Sequence, residues 1–233
     1  MDTFFDILVF QHPVGQAIVL AVLPILSVLV AWQPLRKIYR HWQLQRLIRR
    51  LGQDQIRQSR IISGEDEVYV EHLVLQPDGL TLLMLRPYRG NIFAAEKIDM
   101  WTQVLGHHSY KFPNPLYELE RDTQLLRAML HGVQVKGMVV FGQGSHFPKG
   151  KPAQIYDFRM LRAEADKTGK KPVPEKLLSA WATMKNQASP SRHLQHAILY
   201  QKGDKRRLTM GVILLLIAFA HAAWQLGWYK YVG

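Results

Sequence analysis

The chain has 233 residues, with 30 Lys and Arg against 18 Asp and Glu, ten His and no Cys. The missing cysteine excludes a disulfide framework, a thiolate zinc site, an iron–sulfur cluster and a Cys nucleophile. A net charge of +12 points to phosphates, of nucleic acid or of lipid headgroups, while 48% apolar content excludes a disordered basic tail.

The first element is an apolar run, Val14 to Trp32, of 19 residues without a formal charge. As a helix it would reach about 28 Å, close to the hydrocarbon thickness of a bilayer. A second such run, 22 residues from Leu208 to Tyr229, closes the chain. Trp32, Trp224, Trp228 and Tyr229 stand at the ends, where an aromatic belt belongs. Asp2 and Asp6 precede the first run and the positive charge follows it, the reverse of a cleaved signal. Both runs are therefore expected to span a membrane. All basic residues but Lys230 lie between Gln33 and Arg207, so the positive-inside rule puts 33–207 in the cytoplasm of a two-pass inner-membrane protein, with both termini outside. His221 falls inside the second run with no second titratable group to relay a proton, and is expected to bond a backbone carbonyl or face a partner helix.

Residues 33–60 carry eight basic side chains and one acid, Asp54. Leu35, Ile38, Tyr39, Trp42, Leu44, Leu47, Ile48 and Leu51 recur at three- and four-residue steps, which predicts an amphipathic helix leaving the bilayer. Its cations Arg36, Lys37, Arg40, Arg46, Arg49 and Arg50 suit anionic headgroups, with nucleic acid as the alternative.

From Glu67 the pattern turns to strands. VYVEHLVL, the turn Gln76-Pro77-Asp78-Gly79, LTLLMLR, the turn PYRGN and NIFAAEKI predict a three-stranded antiparallel meander. PNPLYELERDTQLLRAMLHG predicts a helix that Gly132 ends, VQVKGMVVFG a buried strand and PAQIYDFRML a further one. The expectation is an α/β fold with a mixed sheet flanked by helices, set between the two spans. Residues 164–174 predict a linker, and two helices, from Pro174 to about Gln187 and from Pro190 to about Lys202, lead back to the second span. The chain so divides into a tail (1–13), a span (14–32), the basic helix (33–60), the α/β domain (61–163), the linker and returning helices (164–207), a span (208–229) and a tail (230–233).

Across 64–142, Val70-Glu71-His72, Pro77-Asp78-Gly79, Arg89-Gly90-Asn91-Ile92, Trp101, Asn114-Pro115-Leu116 and Val139-Val140-Phe141 stand in an order that resembles the nuclease-related domain (NERD) family, itself related to the PD-(D/E)xK restriction-endonuclease-like fold. The resemblance implies a Mg²⁺ site built from an acid in one strand and Glu-x-Lys in the next. Glu71 stands at the first position, but the triplet reads Met84-Leu85-Arg86, and Glu118 stands where the family has Gln. A thioether is a poor ligand for a hard cation, and a guanidinium does not readily change protonation state.

The expectation is a kept fold and a lost hydrolytic site around Glu71 and Arg86, with no cofactor. The domain would then bind nucleic acid or a protein partner at the membrane, with Arg89 adding charge beside the old site. One alternative is a Mg²⁺-dependent nuclease with a rearranged site using Glu96 or Asp99. Another is a docking subunit of a larger membrane complex, or of a homo-oligomer. Glu65, Asp66, Glu67 and Lys97 read as surface charges. His107-His108, His193 with His196, and His72, His131 and His146 lack a third ligand for a metal. Gly142-Gln143-Gly144 lacks the Lys-Ser/Thr of a phosphate loop, and no Ser nucleophile elbow occurs.

Overall fold

A computed structural model describes residues 13–63, 66–168, 171–191 and 202–225, which divide between two units. The expected tails, most of the helix from Pro190, His193, His196, Glu65, Trp228 and Tyr229 lie outside the described residues.

The first unit holds most of helix α1 (Pro13–Arg50) and helix α5 (Lys202–Gln225). Both helices are long and apolar enough to cross a membrane. Their apolar side chains face outward, with Leu29 66% and Phe219 63% exposed, unlike those of a helix in a soluble core. The two helices touch through small residues, as helices do where no hydrophobic effect draws them together. Ser27 Oγ donates to the Gly211 carbonyl (2.7 Å), and a Cβ on Gly211 would lie 2.9 Å from Ala31 Cβ. Arg207 donates to Gln33 Oε1 beyond that contact.

The second unit, Gln43–Ile198, contains two mixed sheets. The larger has strands β1 (Asp54–Ser63), β2 (Asp66–Gln76), β3 (Gly79–Arg86), β7 (Val135–Phe141), β9 (Ile155–Tyr156) and β10 (Ala188–Pro190) in the order β10-β1-β2-β3-β7-β9. The β3–β7 and β7–β9 pairings are parallel and the others antiparallel. One face carries Leu47, Ile48 and Leu51 of the α1 end, with Leu161 and Ala165 of helix α3 (Phe158–Thr168), on Val74, Leu83, Leu85 and Val140. The other face packs under helix α2 (Pro115–Met129) and helix α4 (Glu175–Gln187), through Leu119, Leu126, Leu177 and Trp181. The smaller sheet has strands β4 (Gly90–Phe93), β5 (Met100–Leu105), β6 (His108–Pro113) and β8 (Ser145–His146), in the order β6-β5-β4-β8.

The α/β class holds: within the second unit the end of α1 and helices α2, α3 and α4 pack on the larger sheet. Several elements differ from the sequence expectation. The basic helix ends at Arg50, not near residue 60, and 54–63 is strand β1. Gly52 makes that break: a Cβ there would lie 2.1 Å from the Leu75 carbonyl, and Gln53 N–H donates to the same oxygen (2.9 Å). The third predicted strand shortens to Gly90–Phe93 and joins the smaller sheet, so the antiparallel meanders are β1-β2-β3 and β4-β5-β6, not the three predicted strands together. The hairpin β5–β6, which turns at Gly106 and His107, is not among the expected elements. Residues 152–161 give only a two-residue strand before α3, which runs to Thr168 into the expected linker. Leu161 and Ala165, four residues apart, are buried on one side of α3, so packing outweighs the charges around them. Pro190, the expected first residue of the returning helix, is the last residue of strand β10.

Candidate functional site

Two motif residues of the family resemblance serve as braces. Asn114 is buried and caps α2, its Oδ1 accepting from Leu116 N–H (2.9 Å). Its amide nitrogen donates to the carbonyls of Glu96 and Ile98, both at 3.0 Å. Trp101 Nε1 donates to the Ala95 carbonyl (2.9 Å). Together they fix the 94–99 turn against the start of α2, which sets where Glu118 stands in the first helical turn.

Glu71 stands where the β2–β3 ladder stops. Paired residues run from Gln76↔Gly79 to His72↔Leu83 and go no further, while β3 continues beside β7 to Arg86. Opposite Glu71 in β1, Gln58 has φ 44, and Val68 and Val70 face the same core as Leu73 and Leu75, so alternation slips by one residue here. Leu85 N–H, left without a partner on β2, is taken by Glu71 Oε2 at 2.5 Å. A carboxylate thus completes the backbone pairing that the splayed strand leaves open.

Arg86 fills the space beside it. Its Nη1 donates to Glu71 Oε1 (2.9 Å) and to the Leu85 carbonyl (3.0 Å), and its Nη2 to Glu118 Oε2 (2.6 Å). Met84 Sδ lies 3.8 Å from Nη2. Arg86 is 17% exposed and Glu71 16%, while Glu118 is 52% exposed, so the bridge runs from interior to surface. Burial pushes the Glu71 carboxyl above its usual range and the Glu118 charge adds to this, against the Leu85 N–H and the Arg86 charge. One helical turn on, Asp122 is 2% exposed and accepts from Arg121 Nε (2.8 Å); burial raises its carboxyl as well.

The donor set does not fit the Mg²⁺ that the family resemblance implies. Both Glu71 oxygens are engaged by N–H donors, and a guanidinium lies between the two carboxylates. The remaining side chain of the triplet offers sulfur, which a hard cation does not favour. Among the described residues no group of three His, Asp or Glu is placed to hold a metal ion.

Glu96 and Asp99 are not joined to this cluster. Both are exposed in the β4–β5 turn; Asp99 accepts from Tyr117 Oη (3.2 Å), and Glu96 lines a separate cleft of about 300 Å³ with Tyr117, Glu120 and Arg127. Arg89 is exposed beside β4. Arg36, Lys37, Arg46, Arg49 and Arg50 are exposed on α1, and Arg40 is half-buried. His72 is buried, 3.4 Å from the Gln45 amide nitrogen. Asp122 escaped the sequence reading, although its place four residues after Glu118 on a helix was visible. That Glu118 and Arg86 answer each other emerges only from the structure.

The structure thus joins a mixed α/β fold to a carboxylate, Glu71, set where β2 and β3 diverge. Residues 36–142 match the family model of NERD, the nuclease-related domain. No curated protein and no solved structure matches the chain.

Proposed function

We propose that the chain is a membrane-anchored nuclease-related domain that has lost hydrolysis and acts by binding at the cytoplasmic face of the inner membrane. The observation that carries this reading is Arg86, whose guanidinium lies between Glu71 and Glu118 where the family resemblance calls for a cation held by carboxylates. A fixed internal charge balances the acids and leaves no labile ligand positions, so the domain needs no cofactor.

α1 and α5 supply the anchor. Arg36, Lys37, Arg40, Arg46, Arg49 and Arg50 meet anionic headgroups, each contributing about 1 kcal/mol near such a surface. Tyr39 and Trp42, exposed and stacked with ring centroids 6.4 Å apart, suit the interfacial zone. The domain so tethered takes nucleic acid.

Purified full-length protein given Mg²⁺ or Mn²⁺ should leave single- and double-stranded DNA and RNA uncut. Metal-dependent cleavage that disappears in Glu71→Ala would overturn the reading.

A further inference from the structure

The smaller sheet has one face packed and one face open. Strand alternation sends Ile92, Trp101, Gln103 and Phe112 inward, where all four are buried. It sends Asn91, Phe93, Thr102, Val104, Ser109 and Lys111 to the opposite face, where each is half-buried or exposed. Register aligns these in rows across the strands. Phe93, Thr102 and Lys111 form one row; His146, Asn91, Val104 and Ser109 form the next. Lys149 reaches over from the following loop, its Nζ 5.7 Å from the Phe93 ring centroid.

The charge of these strands is one-signed. The four strands, the β5–β6 turn and the 142–156 segment contain no Asp or Glu; the acids nearest in sequence, Glu96 and Asp99, lie in the β4–β5 turn beside Lys97. The same acid-free segments, with Arg89 just ahead of β4, contribute Lys111, Lys149 and Lys151, and three histidines. An aromatic ring at the end of β4 on an open sheet face, cations at its margins and short hydrogen-bonding side chains beside them form a stacking platform. Each base offers a π-face to the ring, and the lysines take the phosphates that follow. A four-stranded sheet used in this way stacks roughly two or three bases. A duplex keeps its bases paired and stacked internally, so the ring gives it nothing.

We propose that the open face of the smaller sheet, centred on Phe93 with Lys111 and Lys149, binds single-stranded nucleic acid. The inference rests on the binding reading above for its role, and it names the ligand class; the state of Arg86 does not enter it. The lysines fix the backbone path and Phe93 stacks a base, while Asn91, Thr102 and Ser109 hydrogen-bond to sugar or base edges.

The test is fluorescence anisotropy of labelled oligo-dT, oligo-U and a duplex of equal length, titrated with full-length protein in neutral detergent over a salt series. A single strand should bind more tightly than the duplex; whichever strand binds best identifies the sugar. Phe93→Leu, which keeps apolar bulk but removes the ring, should weaken binding about tenfold with the salt slope unchanged. Lys111→Glu with Lys149→Glu should weaken it further and reduce the salt slope by about 0.7 for each phosphate no longer neutralised. The same charge reversal at exposed Lys167 and Lys176, on α3 and α4, should change nothing. Absence of binding, equal binding of duplex, or wild-type affinity in both platform variants would each overturn the proposal. Cleavage activity is scored separately with Mg²⁺, so failure here is distinct from failure of the inactive-site reading.

Discussion

Two places in the second unit carry conspicuous cations, and they use them in opposite ways. At the end of β3, Arg86 is enclosed by Glu71, Glu118 and the Leu85 carbonyl, and its charge is spent within the fold. On the open face of the smaller sheet, Lys111 and Lys149 stand in stretches of chain without acids. Net charge says that a protein can meet phosphates, but pairing decides where. The residue that sequence motifs mark as functional is the one already neutralised.

Removing each cation separates the two settings most sharply. Arg86→Ala leaves Glu71 charged in a half-enclosed site and should cost about 3 kcal/mol, the low end for a broken buried pair because Glu118 is partly solvated. Lys111→Ala should stay within about 0.5 kcal/mol of wild type, as exposed side chains do. Urea midpoints of the detergent-solubilised protein decide; equal costs at both positions would erase the contrast.

Asn114→Ala comes next. It removes the α2 cap, worth roughly 1–2 kcal/mol, and the donor to the Glu96 and Ile98 carbonyls. Because it loosens the start of the helix that carries Glu118, the Arg86 bridge should weaken with it. A double cycle of Asn114→Ala and Arg86→Ala should therefore be non-additive.

A smaller effect is expected with pH. Burial raises the carboxyl groups of Glu71 and Asp122 in the folded chain. The stability each contributes is fully present below the unfolded carboxylate pKa and fades as pH rises through the raised folded value. Asp54 runs the other way. Burial would raise its carboxyl, but hydrogen bonds from Lys185, Trp181 and the Gln55 N–H together hold it low, so its contribution is present above the usual Asp range and lost as pH falls through the depressed value. Asp122→Asn should flatten the fall in stability toward neutral pH, and Asp54→Asn should remove the loss on acidification. Denaturation midpoints across the carboxylate range read both.

In the first unit the contrast between paired and open surfaces takes a steric form. Gly211→Leu places a side chain against Ala31 and Ser27, where a Cβ alone is already too close. The α1–α5 contact should loosen, with little change in the second unit. Cross-linking between cysteines introduced at Gln33 and Arg207, whose side chains touch across the two helices, should fall.

Much of this was legible beforehand. The two apolar runs, the strands around Glu71 and Arg86, helix α2 and helix α4 follow from periodicity and turn residues, because there local pattern and packing agree. What escaped depends on contacts distant in sequence. Gly52 ends α1 because Leu75, in another strand, approaches it. The β5–β6 hairpin alternates only weakly, since β6 buries Phe112 alone. At the site, the departures at Met84, Arg86 and Glu118 could each be read, and their individual chemistry was clear. Their mutual compensation was not, because a strand and a helix bring Arg86 and Glu118 together across 32 positions.

The central claim is that Arg86 stands where a divalent ion would otherwise be held. Mn²⁺ binding followed by electron paramagnetic resonance, on full-length protein and on Arg86→Gln, tests it directly. Wild type should show no Mn²⁺ site that depends on Glu71, and Arg86→Gln should gain a weak one that a further Glu71→Gln removes. A wild-type Mn²⁺ site that vanishes in Glu71→Gln would contradict it.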